Sequence, residues 1–185
     1  MLKIGIIIGS TRPGRVGESV AKWTYELASK RTDAEFELID IIDYNLPILD
    51  EPTPAVYQNY TKEHTKMWSK KIAEMDGFIF VTPEYNHGVS GAFKNAIDFL
   101  NVEWNNKAVG FVSYGSAMGV RAVENLRVIV AELQMADVQK GVQLSLFTDF
   151  VDFSKFNPNP MHENILNAML DQLVAWATVL KPLRK

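Results

Sequence analysis

At 185 residues the chain is long enough for one well-cored domain and short for two, so a single unit over 1–185 is expected. Its 47% hydrophobic and 22% charged content is that of a soluble globular protein, and a net charge of −3 gives no support for nucleic acid or an anionic membrane as partner. The absence of cysteine excludes disulfides, thiolate ligands and cysteine nucleophiles, so any redox chemistry must come from a bound cofactor.

Leu2–Ile8 is a continuous apolar stretch of the kind buried on both faces of a parallel sheet. It breaks at Gly9-Ser-Thr-Arg12 with no small-residue cleavage site, and no later run reaches membrane-spanning length, so a cytoplasmic protein is expected. Val16, Val20, Trp23, Thr24 and Leu27 recur at helical spacing, and Glu35–Ile41 alternates as a second strand. Asp43–Ala55 reads as a long proline-rich loop, after which Val56, Tyr60, His64, Met67, Trp68, Lys71, Ile72 and Met75 mark one face of a second helix. Gly77–Thr82 is the third strand, ended by Pro83. Ser90 is placed to cap a helix bearing Ala92, Phe93, Ala96, Ile97 and Leu100. Lys107–Tyr114 is the fourth strand; Ala122, Val123, Leu126, Ile129, Val130 and Leu133 mark the helix after it. Val138–Phe147 holds the fifth strand. A phenylalanine-rich loop to Pro160 then leads to a last helix that carries Ile165, Leu166, Met169, Leu170, Leu173, Val174, Ala177 and Leu180.

Five strands alternating with five helices imply a parallel sheet covered on both faces, with right-handed crossovers. Ligands of such sheets lie at the C-terminal strand ends, so the loops after strands one, three and four are candidates to share one site.

The first of these loops, Gly9 to Gly17, opens a helix whose unpaired N–H groups and positive dipole end suit a phosphate. Ser10 and Thr11 add hydroxyls, and Arg12 and Arg15 add charge and planar donor forks. A turn that merely reverses the chain is the plainer reading. Gly9 and Gly14 have nucleotide-loop spacing, but Arg15 and Val16 stand where lysine and a hydroxyl residue are required, so triphosphate hydrolysis is not expected. The dinucleotide fingerprint is missing too, which leaves Asp40 as a strand-end or turn residue. In the second loop, Pro83 to Gly91, Pro83 stops pairing, Asn86 tolerates left-handed backbone and Tyr85 offers an aromatic plane with a polar tip. A helix-entry turn with a packed tyrosine is the alternative. The third, Ser113 to Gly119, is small-residue backbone that leaves room for a ring and can form an anion-binding concavity, with a Gly-rich strand-to-helix turn as the alternative.

Elsewhere, His64 reads as a packing histidine and His162 as a helix-start residue, while His87 lacks a second ligand at metal spacing. Lys94 and Asp98 form an i,i+4 surface pair, and no Gly-x-Ser-x-Gly elbow exists for a serine hydrolase.

Pro83-Glu-Tyr-Asn86, followed by Gly91-Ala-Phe-Lys-Asn-Ala-Ile-Asp98 and flanked by Gly9-Ser-Thr-Arg12 and Ser113-Tyr-Gly-Ser116, resembles the NADPH-dependent FMN reductase family. The resemblance runs from strand one to the fourth helix. It implies an α/β fold, a flavodoxin-like three-layer sandwich whose five-stranded parallel sheet has the order 2-1-3-4-5. It implies FMN, with phosphate on Ser10, Arg12 and the turn through Arg15, Val16 and Gly17. It also implies isoalloxazine contacts from Pro83, Glu84, Tyr85, Asn86 and His87, and from Ser113, Tyr114 and Gly115. NADPH or NADH would be the co-substrate, a quinone, azo compound or similar small molecule the acceptor, and the assembly a homodimer or homotetramer. Flavin N5 carries the hydride in such enzymes, so no side chain is named as catalytic. The chain departs from many members at Arg15 and Gly17, where they carry Ser and Asn, and at Gly88-Val-Ser-Gly91 and Met118-Gly119. The rival readings are a flavodoxin-type electron carrier that does not oxidise NAD(P)H, and a nucleotide-binding regulatory domain.

Overall fold

The computed structural model describes residues 1–184. Strands β1 (Leu2–Ile8), β2 (Ala34–Asp40), β3 (Gly77–Pro83), β4 (Ala108–Gly115) and β5 (Ala136–Ser145) form one sheet. All its pairings are parallel, in the order β2-β1-β3-β4-β5. The helices are α1 (Gly17–Ala28), α2 (Glu63–Ala73), α3 (Gly91–Asp98), α4 (Val120–Glu132) and α5 (Met161–Leu180). Sequence order and expected topology agree.

Why the central strands read as unbroken apolar runs is visible in where alternate residues go. Ile4, Ile6, Ile8, Ile79, Val81 and Val112 face one layer, where Val20 and Leu27 of α1 and Leu166, Leu170 and Leu173 of α5 cover them. Ile7, Phe78, Phe80, Val109 and Phe111 face the other, against Trp68 of α2, Phe93 of α3 and Leu126 of α4. Aromatic edges fill that second layer: Phe78 and Trp104 lie 5.0 Å apart, Phe80 and Phe93 4.9 Å.

Two expected elements are corrected. The second helix begins at Glu63, not Val56; Ala55–Tyr57 is a separate 3₁₀ turn after Pro54, closed by Gln58 at φ 51°. That left-handed residue ends helical propagation, and Tyr60 then turns its hydroxyl to Glu103 at 3.0 Å. Met67 is 55% exposed, because it stands about 100° around the helix from buried Trp68 and only one of the two can face the core. The phenylalanine-rich segment after β5 is not wholly loop. Phe150–Val151 (β6) and Lys155–Phe156 (β7) pair antiparallel around a turn closed by Ser154 N–H to Val151 O at 3.1 Å.

Candidate functional site

Loops at the C-terminal ends of β1, β3 and β4 meet at one side of the molecule, and one hydroxyl ties the first two. Ser90 caps α3, accepting from the Phe93 N–H at 3.2 Å as expected, and donates to Gly9 O at 2.6 Å. Across from it, Glu84 N–H donates to Tyr114 O at 3.2 Å, and the buried Glu84 carboxylate accepts from the Arg121 N–H at 3.1 Å while pairing with the Arg121 guanidinium. Glu84 thus fixes the loop after β3 to the start of α4.

The turn into α1 leaves its donors open. Val16 precedes the helix without a side-chain cap, and no acceptor among the described residues faces the amides of Val16, Gly17 and Glu18. Ser10 is fully buried beneath this turn, its Oγ 3.4 Å from Tyr114 Oη. Gly17 has to be glycine there: a Cβ would stand 2.6 Å from Tyr114 Oη and 3.0 Å from Ser10 Oγ. Burial pushes the Tyr114 phenol up to about 12, with the Ser10 hydrogen bond opposing, so it stays a neutral hydroxyl.

The two arginines of the loop differ. Arg15 is 6% exposed in its side chain, donates to Asp40 and to Glu18 Oε1, and also reaches Ser10 O. Burial lowers its pKa, but the hydrogen bonds to Asp40 and Glu18 outweigh that and carry it above the ordinary value. Its charge is therefore consumed by Glu18 and by Asp40 at the end of β2. Arg12 pairs with no carboxylate among the described residues; its Nε lies 3.4 Å from Tyr85 Oη, across the gap between the two loops.

A cleft of about 100 Å³ lies there, lined by Arg12, Val16, Pro83, Glu84, Tyr85, Tyr114, Gly115, Leu146 and Phe153. Arg12 also lines an open groove of about 490 Å³ that runs past Thr11, Pro13, Gly14, Arg15, Glu18 and Ile42. Of the residues singled out from sequence, Arg12, Val16, Pro83, Glu84, Tyr85, Tyr114 and Gly115 are brought around one space, with Ser10 and Gly17 just beneath. Asn86 and His87 are not. They form the exposed tip of a two-residue turn, both at positive φ, closed by paired bonds between Tyr85 and Gly88, and His87 Nδ1 meets Arg121 Nη1 at 3.1 Å. Ser113 is buried, its hydroxyl donating to Met118 O at 2.7 Å, which shapes the turn that ends at Gly119. A Cβ at Gly119 would lie 2.7 Å from Ser113 Cβ.

Leu146 and Phe153 were missed by sequence reasoning. The run of phenylalanines from 147 to 156 was the available signal, but only the pairing of β6 with β7 turns Phe153 toward the cleft. Three further expectations hold: His64 packs edge-on against Phe99 and meets Asp50, Lys94 pairs with Asp98, and Asp40 caps the turn after β2 by accepting from Ile42 N–H. His162 starts α5 as expected, yet it is also buried against Asp149, with 3.0 Å between Nε2 and Oδ1.

Known proteins resemble this chain in sequence and in fold. The family described as NADPH-dependent FMN reductase matches over residues 2–149. The NAD(P)H-dependent FMN reductase ntnL of a Nectria species is 40% identical over 173 residues, covering 88% of this chain and 85% of that protein. A quinone reductase of Pseudomonas putida is 30% identical over 186 residues, covering 94% and 93%. Among solved structures, the flavoenzyme NAD(P)H:(acceptor) oxidoreductase FerB from Paracoccus denitrificans superposes with a TM-score of 0.74 at 19% identity, covering 96% of this chain and 98% of that one, a likeness of fold.

Proposed function

This chain belongs to the NADPH-dependent FMN reductase family, and from that premise we propose that it takes hydride from NADPH or NADH and delivers the electrons to a small-molecule acceptor, a quinone or azo compound. FMN, when bound, supplies the hydride-accepting and electron-donating chemistry. The residues present fit that group. Uncapped amides at Val16, Gly17 and Glu18 and an uncommitted guanidinium on Arg12 suit a terminal phosphate dianion, with no metal needed.

In this reading Arg12 and the α1 amides hold the phosphate. Ser10, Gly17 and Tyr114 form the floor under it, and Arg15 shapes the turn. Pro83, Glu84, Tyr85 and Gly115 frame the ring edge; Asn86 forms the left-handed tip of their turn, His87 ties that tip to Arg121, and Ser113 braces the turn to Gly119. Leu146 and Phe153 exclude water from one side of the cleft. The observation that carries the reading is the continuity of the phosphate-ready helix start with the apolar-walled cleft, Arg12 lining both.

The chain is further proposed to form a homodimer or homotetramer. In support, Ile48 and Leu49 are exposed apolar residues on a segment fastened to α3, where Asn95 donates to Pro47 O at 2.7 Å. No helix among the described residues is long and apolar enough to cross a membrane. A cytoplasmic location is proposed because nicotinamide co-substrates are supplied there.

The test is direct. Purified protein loaded with FMN is yellow, bleaches anaerobically under NADPH, and regains colour on adding benzoquinone. Yellow protein unmoved by NADPH or NADH overturns the enzyme reading in favour of an electron carrier; protein that binds no FMN overturns both.

A further inference from the structure

The family match ends at residue 149, and the aromatic hairpin beside the cleft lies just beyond it. Two strands of two residues each do not hold themselves together. Their anchors are Phe150, buried against Tyr114 at 6.3 Å, and Phe156, which lies 5.1 Å from Phe150 and edge-on to Trp23 at 5.8 Å. Asp149 closes the whole segment. Its buried carboxylate accepts from Ser145 N–H at the end of β5 (2.8 Å), from Asn159 N–H before α5 (3.0 Å), from Thr148 Oγ1 (3.2 Å) and from His162 Nε2 (3.0 Å). Burial raises the Asp149 pKa, but the amides of Asn159 and Ser145 outweigh it and hold the group below the usual carboxylate value. His162 Nδ1 is buried without a partner, and because the Asp149 carboxylate accepts, Nε2 donates to it.

At the tip of the hairpin sits Phe153, at φ 55°. That backbone region is costly for a bulky side chain and persists only where the surroundings impose it. The result is a phenylalanine 61% exposed, edge-to-face with Phe147 at 5.6 Å, yet turned to line the cleft with Tyr85 and Tyr114. Two such rings expose on the order of 250 Å². A stable interface with a second copy needs roughly 800 Å² per partner. A flat bicyclic molecule is matched to the smaller patch.

We propose that Phe153 is the specificity-determining contact for flat aromatic electron acceptors at the mouth of the cleft, and that Asp149 and His162 are the positioning residues that set it there. The proposal rests on the redox reading above.

The test titrates 1,4-naphthoquinone calorimetrically into the FMN-loaded protein without NADPH, so that binding is read with no turnover. Phe153→Ala, at an exposed tip, is expected to raise the dissociation constant about tenfold. His162→Phe is expected to match it and to speed amide exchange of residues 150–156 at least tenfold, while His162→Gln, which keeps a donor for Asp149, stays within threefold of the parent on both readouts. In turnover, the ratio of kcat/KM for naphthoquinone to that for ferricyanide falls about tenfold in Phe153→Ala and His162→Phe. A Phe153→Ala dissociation constant within twofold of the parent overturns the contact, as does a fall in sedimentation coefficient, which would assign Phe153 to a second copy. Unchanged exchange in His162→Phe overturns the positioning role. Failure of NADPH to bleach the parent protein would strike the redox reading alone, because naphthoquinone binding is measured without it.

Discussion

The Arg15 guanidinium lies bidentate on the Asp40 carboxylate, Nη1 3.0 Å from Oδ1, joining the turn after β1 to the end of β2. A cation beside a phosphate-ready helix start is thereby withheld from it. Asp40→Asn should free part of that charge and tighten FMN binding about threefold. Arg15→Ala should loosen the turn and weaken binding about tenfold, about 1.4 kcal/mol, with the fold intact. Flavin fluorescence titration of both variants checks the opposed signs; equal directions would show that the pair does not divide Arg15 between loop and ligand.

Arg12 is the uncommitted cation. A hydrogen bond to a charged group contributes about 2 kcal/mol, so Arg12→Ala should weaken FMN roughly 30-fold. Riboflavin, which lacks the phosphate, should bind parent and variant alike. A matching loss for riboflavin would move Arg12 from the phosphate to the ring.

Gly17 and Tyr114 make a steric pair. Gly17→Ala drives a methyl against Tyr114 Oη and should cost about 2 kcal/mol, the scale of overpacking in a filled site. Adding Tyr114→Phe removes the obstructing oxygen and leaves the ring carbon at 3.4 Å, with Ser10 Oγ still close at 3.0 Å. The double variant should therefore recover part of the loss in denaturant unfolding. No recovery would place the clash elsewhere.

Lys107 gives a pH signature remote from the cleft. Only 3% exposed, its Nζ donates to Ile72 O at 2.7 Å, and burial pushes its pKa down to about 7, with Arg184 adding to the shift. The native state releases this proton near 7, while the unfolded chain keeps it to about 10.4. The unfolded state thus binds more protons between those values, and stability should rise with pH through that window, by up to about 1.4 kcal/mol per unit. Lys107→Met should flatten that rise in urea unfolding measured at pH 7, 8 and 9. An unchanged slope in the variant would assign the effect to another group.

The sheet and its order were legible because strands buried on both faces leave unbroken apolar runs, and the helices between them keep a separate period. The site was legible where donors and glycines cluster within one loop, as from Gly9 to Gly17. Pairings between distant segments were not. Arg15 reads as a ligand cation until Asp40, on the next strand, takes its charge. The hairpin hid because its left-handed turn positions are Asp152 and Phe153 rather than an Asn-Gly or Asp-Gly pair, and its strands, two residues each, are too short to show alternation. Asp149 and His162 look like a loop acid and a helix-start histidine until the chain between them is folded back on itself.

The bond from the Ser90 hydroxyl to Gly9 O has one more consequence. It makes the lengths of two loops interdependent: adding or deleting a residue after β1 would pull the carbonyl off its donor and shear the helix start from the ring-edge loop. Insertions should therefore be refused between residues 9 and 17 and between 83 and 90. The segment from 52 to 57, outside that tie and outside the bonds that fasten Pro47 and Leu49 to Asn95, is where the chain can change length without disturbing how one half of the site is aimed at the other.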